Sequence, residues 1–276
     1  MNLFGAVAPV GGLPLFAAPT ATGTGNCLSS GNACTLATAC SFVKQIATFL
    51  GGAGPINLAD GTYSTLDAAN ALCTIPGNQG GSSNFLATII GNLITPTNVI
   101  LAVPNNGIGL NVLDAGEATI NSVEITLGTN AQGIAATRFA LVDYRNVSWG
   151  TSGSGSTHVL GTQNSAVSQA NNETILANFN LHWHITSGST LLLQAATVIP
   201  SAVTEGAFLT TGGDVNVDAS GWSSSGSGVA GTTGPQASLV GLGYLVTPGN
   251  AACGSVFPGT PNSCSLSLGF QVSSGE

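Results

Sequence analysis

Beyond residue 50 the sequence offers no run that is both long enough and periodic enough to read as an α-helix. Short apolar runs recur instead, among them Val99 to Val103, Gly109 to Leu113, Ala118 to Leu127, Thr174 to Ile185 and Thr190 to Ile199. The segments between runs (NN, DAG, TSGSG, TSGS, TGGD) are turn chemistry. Only 5% of residues are charged, against about a quarter in ordinary soluble domains, and 39 are glycine. Stacked rungs with tight turns suit that balance, because neighbouring rungs replace ion pairs as the source of cohesion. A disordered chain is excluded by a hydrophobic content of 43% and a mean hydropathy of +0.38. The expected fold is all-β, a right-handed parallel β-helix with an N-terminal capping α-helix; an antiparallel β-sandwich or jelly roll is the alternative.

The cap is the one helical stretch. Thr35 can serve as N-cap, after which Leu36, Ala39, Cys40, Val43, Ile46, Ala47 and Leu50 recur at helical spacing, with polar residues opposite. Gly51 and Gly52 then stop a helix over residues 36–50. The alternating run Ile56-Asn57-Leu58-Ala59 follows and ends at the turn pair Asp60-Gly61. A lone helix followed only by strands is what the open end of a solenoid needs, since an uncovered first rung exposes its core.

The run Cys34-Thr35-Leu36 with Ala39, then a helix, then Ile56-Asn57-Leu58-Ala59-Asp60-Gly61-Thr62-Tyr63, resembles the opening of right-handed parallel β-helix domains of the pectin-lyase-like superfamily from bacterial and phage surface and tail proteins. The resemblance spans roughly residues 20–92 and speaks to fold far more than to activity. The expected organisation is a column over residues 23–250, closed at residues 251–276 by a C-terminal disulfide loop and strand.

Residues 1–22 are apolar but lack a cationic leader, and Pro9, Gly11-Gly12 and Pro14 interrupt them, so they read as a docking arm. Six cysteines (Cys27, Cys34, Cys40, Cys73, Cys253 and Cys264) fall in two clusters. With no C-x-x-C pair, disulfides are expected over zinc: the first four around the cap, and Cys253 with Cys264 across a loop. That chemistry belongs outside the reducing cytosol. A net charge of −8 with three Lys plus Arg speaks against nucleic acid and gives no polybasic anchor for membrane.

Trp149, Trp183 and Trp222 each precede a Ser/Gly-rich turn, 34 and 39 residues apart, which places them at similar points around the coil. They read as core or trimer-contact aromatics, or as platforms on which sugar rings stack. Among carboxylates, Asp143, Asp214 and Asp218 are the candidates for glycosidic chemistry, although four residues along one strand separate the last two by about 13 Å. His182 and His184 share a strand face opposite Trp183, but two ligands do not make a metal site, and no metal or cofactor is expected. The run Ser265 to Val272 alternates strictly and reads as one half-exposed closing strand.

The functional expectation is a non-enzymatic structural or adhesive virion protein: a phage tail fibre, spike or head decoration. It would form a homo-trimer, dock on other virion proteins through residues 1–22 and touch host surface glycans. A β-helical polysaccharide depolymerase, hydrolase or lyase, is the competing class.

Overall fold

The computed structural model describes residues 13–50, 54–77 and 86–217, and beyond them 224–228, 237–240, 244–248, 257, 264–267 and 270–274. Gly51, Gly52, Asp218, Trp222 and Cys253 lie outside the described residues. Among the described residues every strand pairs in parallel, in three sheets that the chain visits in turn, which makes the molecule a right-handed β-helical column. Counted over the described residues, the first sheet has ten strands, from Leu15–Ala17 to Phe270–Ser274. The second has seven, from Gly61–Tyr63 to Ser224–Ser225, and the third eight, from Ala71–Pro76 to Cys264–Ser267. All-parallel pairing rules out the antiparallel sandwich.

Through the middle of the column one turn takes 24 to 26 residues, against 33 from Ile56 to Ile89 and 30 from Asp214 to Tyr244. In the third sheet Ile108, Gln132, Thr157 and Leu181 are successive partners, and in the first Glu117, Leu141, Ala166, Thr190 and Asp214. Inward positions stack like with like. Ile56, Ile89, Ile120, Tyr144, Gln169 and Leu193 form one column in the first sheet. In the third, Cys73, Leu110, Ile134, Val159, Trp183 and Leu209 do so. Each fully buried aliphatic side chain contributes about 1.5–3 kcal/mol, so the aliphatic rows are the main source of cohesion. The corner between third and first sheets is equally regular. Asp114-Ala115, Arg138-Phe139, Gln163-Asn164 and Ser187-Gly188 all take positive φ, and Phe139 and Asn164 donate their N–H groups to the next rung.

The helix Leu36–Leu50 is found where the periodicity places it, between the first two strands of the first sheet, where the second and third sheets have no strand yet. The Thr38 amide donates to Thr35 Oγ1 at 3.3 Å, closing the N-cap. Leu36, Ala39, Cys40 and Val43 are buried, and the helix packs on Ala71–Pro76, the terminal strand of the third sheet. Disulfides Cys27–Cys34 and Cys40–Cys73 staple this end, as the first cluster of cysteines led us to expect. Both belong to a protein that matures outside the reducing cytosol. Among the described residues no helix is long and apolar enough to cross a membrane.

Three expectations need correction. Leu15–Ala17, read as part of an arm over residues 1–22, is a strand of the column paired to Ile56–Leu58, because Leu15 and Ala17 fill the first inward positions. The alternating run near the C-terminus is two strands in different sheets, Cys264–Ser267 and Phe270–Ser274, so the chain turns a corner between them. Trp149 lies in the second sheet and Trp183 in the third, so their spacing of 34 residues is one rung plus a shift to the next sheet.

Candidate functional site

On its outer side the first sheet forms a shallow groove of about 320 Å³, where strands Glu117–Asn121, Leu141–Arg145, Ala166–Gln169 and Thr190–Leu193 present their outward residues. Glu117, Thr119, Leu141, Asp143, Ser168 and Leu192 line it. Thr119, Asp143 and Ser168 stand side by side in one row, about 4.8 Å from rung to rung. Arg145 Nε donates to Asp143 Oδ2 at 2.7 Å, while Asp143 Oδ1 has no hydrogen-bond partner among the described residues. Leu141 is 43% exposed, an aliphatic face beside hydroxyl and carboxylate acceptors. A surface of that composition can hold a sugar ring by its apolar face and its hydroxyls together.

Asp214 belongs to the row of Glu117, Leu141, Ala166 and Thr190, three rungs from the strand of Asp143, so about 14 Å or more separates them. That exceeds the carboxyl separations glycoside hydrolysis uses, about 5–10 Å. Nearer is Glu117, on the strand next to Asp143 and two positions off its row, a diagonal of about 7–8 Å between Cα atoms. Other described aspartates have structural partners. Asp114 accepts from Arg138 at 3.0 Å, Asp60 accepts from Asn92 and Asn98, and Asp67 accepts from the Ala69 and Ala71 amides.

Trp149 and Trp183 are fully buried, so the platform reading fails at both positions and the core reading holds. His182 and His184 do not share a face. His182 and Trp183 are both buried, whereas His184 is half-buried, because the strand Phe179–Ile185 turns two consecutive side chains inward where it leaves the corner.

The inward turn builds a polar cluster inside the column. Trp149 Nε1 donates to Glu173 Oε2 at 2.8 Å, while Gln169 Nε2 and Thr197 Oγ1 donate to Oε1 at 3.0 and 2.7 Å. His182 Nε2 lies 3.1 Å from the same oxygen. A carboxylate only accepts, so His182 carries its proton on Nε2 and presents a bare Nδ1. Nδ1 of His158, 2.7 Å away, must then be the donor, and its bare Nε2 accepts the hydroxyl of Ser152 at 2.8 Å. Burial, then the neighbouring His182, holds His158 well below the usual histidine range. Burial also pushes the Tyr144 phenol well up, the Glu173 charge adding to it, and Tyr144 Oη accepts Trp183 Nε1–H at 2.9 Å.

Residue-by-residue reading passed over Ser152, His158, Gln169 and Thr197, and counted Glu173 only among the chain's acidic residues. Their signal is the rung length: Trp149 with Glu173, His158 with His182, and Glu173 with Thr197 are each 24 residues apart. Comparison with family models, with curated proteins and with solved structures returned no match.

Proposed function

We propose that this protein is a non-enzymatic structural and adhesive component of an extracellular particle, a phage tail fibre, spike or head decoration of the pectin-lyase-like β-helix type. The observation that carries the reading is the groove on the outer face of the first sheet, where the acceptors Thr119, Asp143 and Ser168 repeat at rung spacing beside the exposed aliphatic face of Leu141, so that a sugar's hydroxyls and its apolar face both find partners. A column cohering through stacked aliphatic rows, stapled at its cap by two disulfides, suits service outside the cell. Residues 1–12, rather than 1–22, would dock on other virion proteins, since Leu15–Ala17 is already a strand of the column. The proposed assembly is a homo-trimer.

The diagonal of Glu117 and Asp143 in the same groove favours a second reading, a polysaccharide depolymerase with those carboxyls as acid and base. Purified protein incubated with immobilised host capsule or lipopolysaccharide separates the two. Retention without chemistry is expected. New reducing ends or unsaturated sugars would replace adhesion by hydrolysis or elimination, and absence of retention would overturn both.

A further inference from the structure

We infer that Ser152, His158, His182 and Glu173 form a relay open to solvent at Ser152, through which the core of the column takes up a single proton as its surroundings acidify. The geometry is a continuous chain: Ser152 Oγ to His158 Nε2 at 2.8 Å, His158 Nδ1 to His182 Nδ1 at 2.7 Å, and His182 Nε2 to Glu173 Oε1 at 3.1 Å. Ser152 is half-buried at the corner between the second and third sheets, whereas the other three groups are 0–1% exposed. The chain therefore joins the surface to a carboxylate inside the column.

In the starting state all three hydrogen bonds point from Ser152 toward Glu173. A hydronium ion at the surface gives its proton to Ser152 Oγ, leaving water, as the hydroxyl passes its own proton to His158 Nε2. His158 passes the proton of Nδ1 to His182 Nδ1, and the positive charge settles on His182 against Glu173. One proton has entered, and the four groups together go from −1 to neutral. The first two hydrogen bonds survive with direction reversed and the third is kept, so no buried polar atom of the chain loses its partner. A second proton is excluded by sterics, because both Nδ1 atoms would then carry hydrogen across 2.7 Å.

The surroundings fit this role. Trp149 stacks on His158 at 4.5 Å and meets His182 edge-on, and Phe179 covers both imidazoles. Gln169, Thr197 and Trp149 hold Glu173 from the remaining directions. Among the described residues Tyr144 is the other titratable group facing Glu173, and burial keeps its phenol neutral. Asp143 sits on the outer face with Arg145, and His184 stands half-buried on the strand of His182.

The test is a pH titration of the intact, folded protein by imidazole ¹⁵N NMR, from about pH 8 down to the onset of acid unfolding. The relay predicts that His158 and His182 respond at one shared midpoint, with one proton taken up between them, while the amide spectrum stays native. Thr197→Val, which removes one donor from Glu173, should raise that midpoint by about one pH unit, a tenfold gain in proton affinity. Two separate midpoints, uptake of two protons, or rings that stay unchanged while the protein is folded would overturn the relay. An unmoved midpoint in T197V would exclude Glu173 as its inner end.

Discussion

Trp149 and Glu173, 24 residues apart, meet inside the column through an indole N–H that donates to the carboxylate at 2.8 Å. The contact joins two successive rungs of the second sheet at the point where the aliphatic rows give way to polar side chains. Glu173→Leu removes the shared acceptor and leaves the indole, the His182 Nε2–H and the Gln169 amide to find other partners. Breaking a buried charged network of this kind costs about 3–5 kcal/mol, so the denaturant midpoint should drop sharply. A loss below about 1 kcal/mol would mean that the cluster is not held by its carboxylate.

How much of this was legible beforehand follows from what each feature depends on. The cap was readable because Thr35, the apolar stripe from Leu36 to Val43 and the disulfide partner Cys40 are local or nearly so. The all-β solenoid was readable because short apolar runs alternate with turns. The rung length was not: Trp149 and Trp183 drew attention to a spacing of 34 residues, while the true spacing is carried by small and polar residues such as Glu173 and Thr197. Burial of His182 and Trp183 side by side breaks the alternation rule, and only the corner geometry accounts for it.

Gly133 tests the packing around the cluster. A Cβ there would come within 2.7 Å of the Trp149 ring and 2.6 Å of the His158 carbonyl oxygen. Gly133→Ala should cost about 1–3 kcal/mol through overpacking. Gly31 has nothing within 4 Å of its would-be Cβ, so Gly31→Ala should leave thermal stability unchanged. Equal effects at both sites would contradict the assigned register.

The disulfides differ in reach. Cys40–Cys73 spans 33 residues and ties the helix to the terminal strand of the third sheet, whereas Cys27–Cys34 spans 7. Replacing both Cys40 and Cys73 by alanine should cost about 2–4 kcal/mol and more than the same change at Cys27 and Cys34. Limited proteolysis of the double variant should cut first near the cap. Cleavage starting elsewhere would show that the cap does not depend on this bond.

Acid should weaken the fold through its histidines. Unfolded His158 titrates near about 6.5, but burial and the proximity of His182 hold it well below that in the native state. The unfolded chain therefore binds the proton first, and stability falls as pH drops below about 6.5, by up to about 1.4 kcal/mol per pH unit from this residue. Burial lowers His184 as well, which adds a smaller, solvent-screened effect of the same sign. Glu124, pushed up by burial, acts in the opposite sense further down, in the carboxylate range. Denaturant titrations at a series of pH values should show this decline, with a shallower slope in His158→Gln. A midpoint that holds steady or rises as pH falls through the histidine range would contradict it.

The central claim is that the outer groove of the first sheet is where this protein meets a glycan, and retention on immobilised host polysaccharide by Ser168→Trp tests it most directly. Ser168 sits in the groove beside Asp143, half-buried, its hydroxyl donating to Gln194 Oε1 at 3.1 Å, and a tryptophan there trades that one hydrogen bond for bulk in the groove. The account predicts at least about a tenfold loss of retention, about 1.4 kcal/mol, by a variant that keeps its native fold and loses no more than about 0.5–1.5 kcal/mol of stability. Undiminished retention by the folded variant would contradict it.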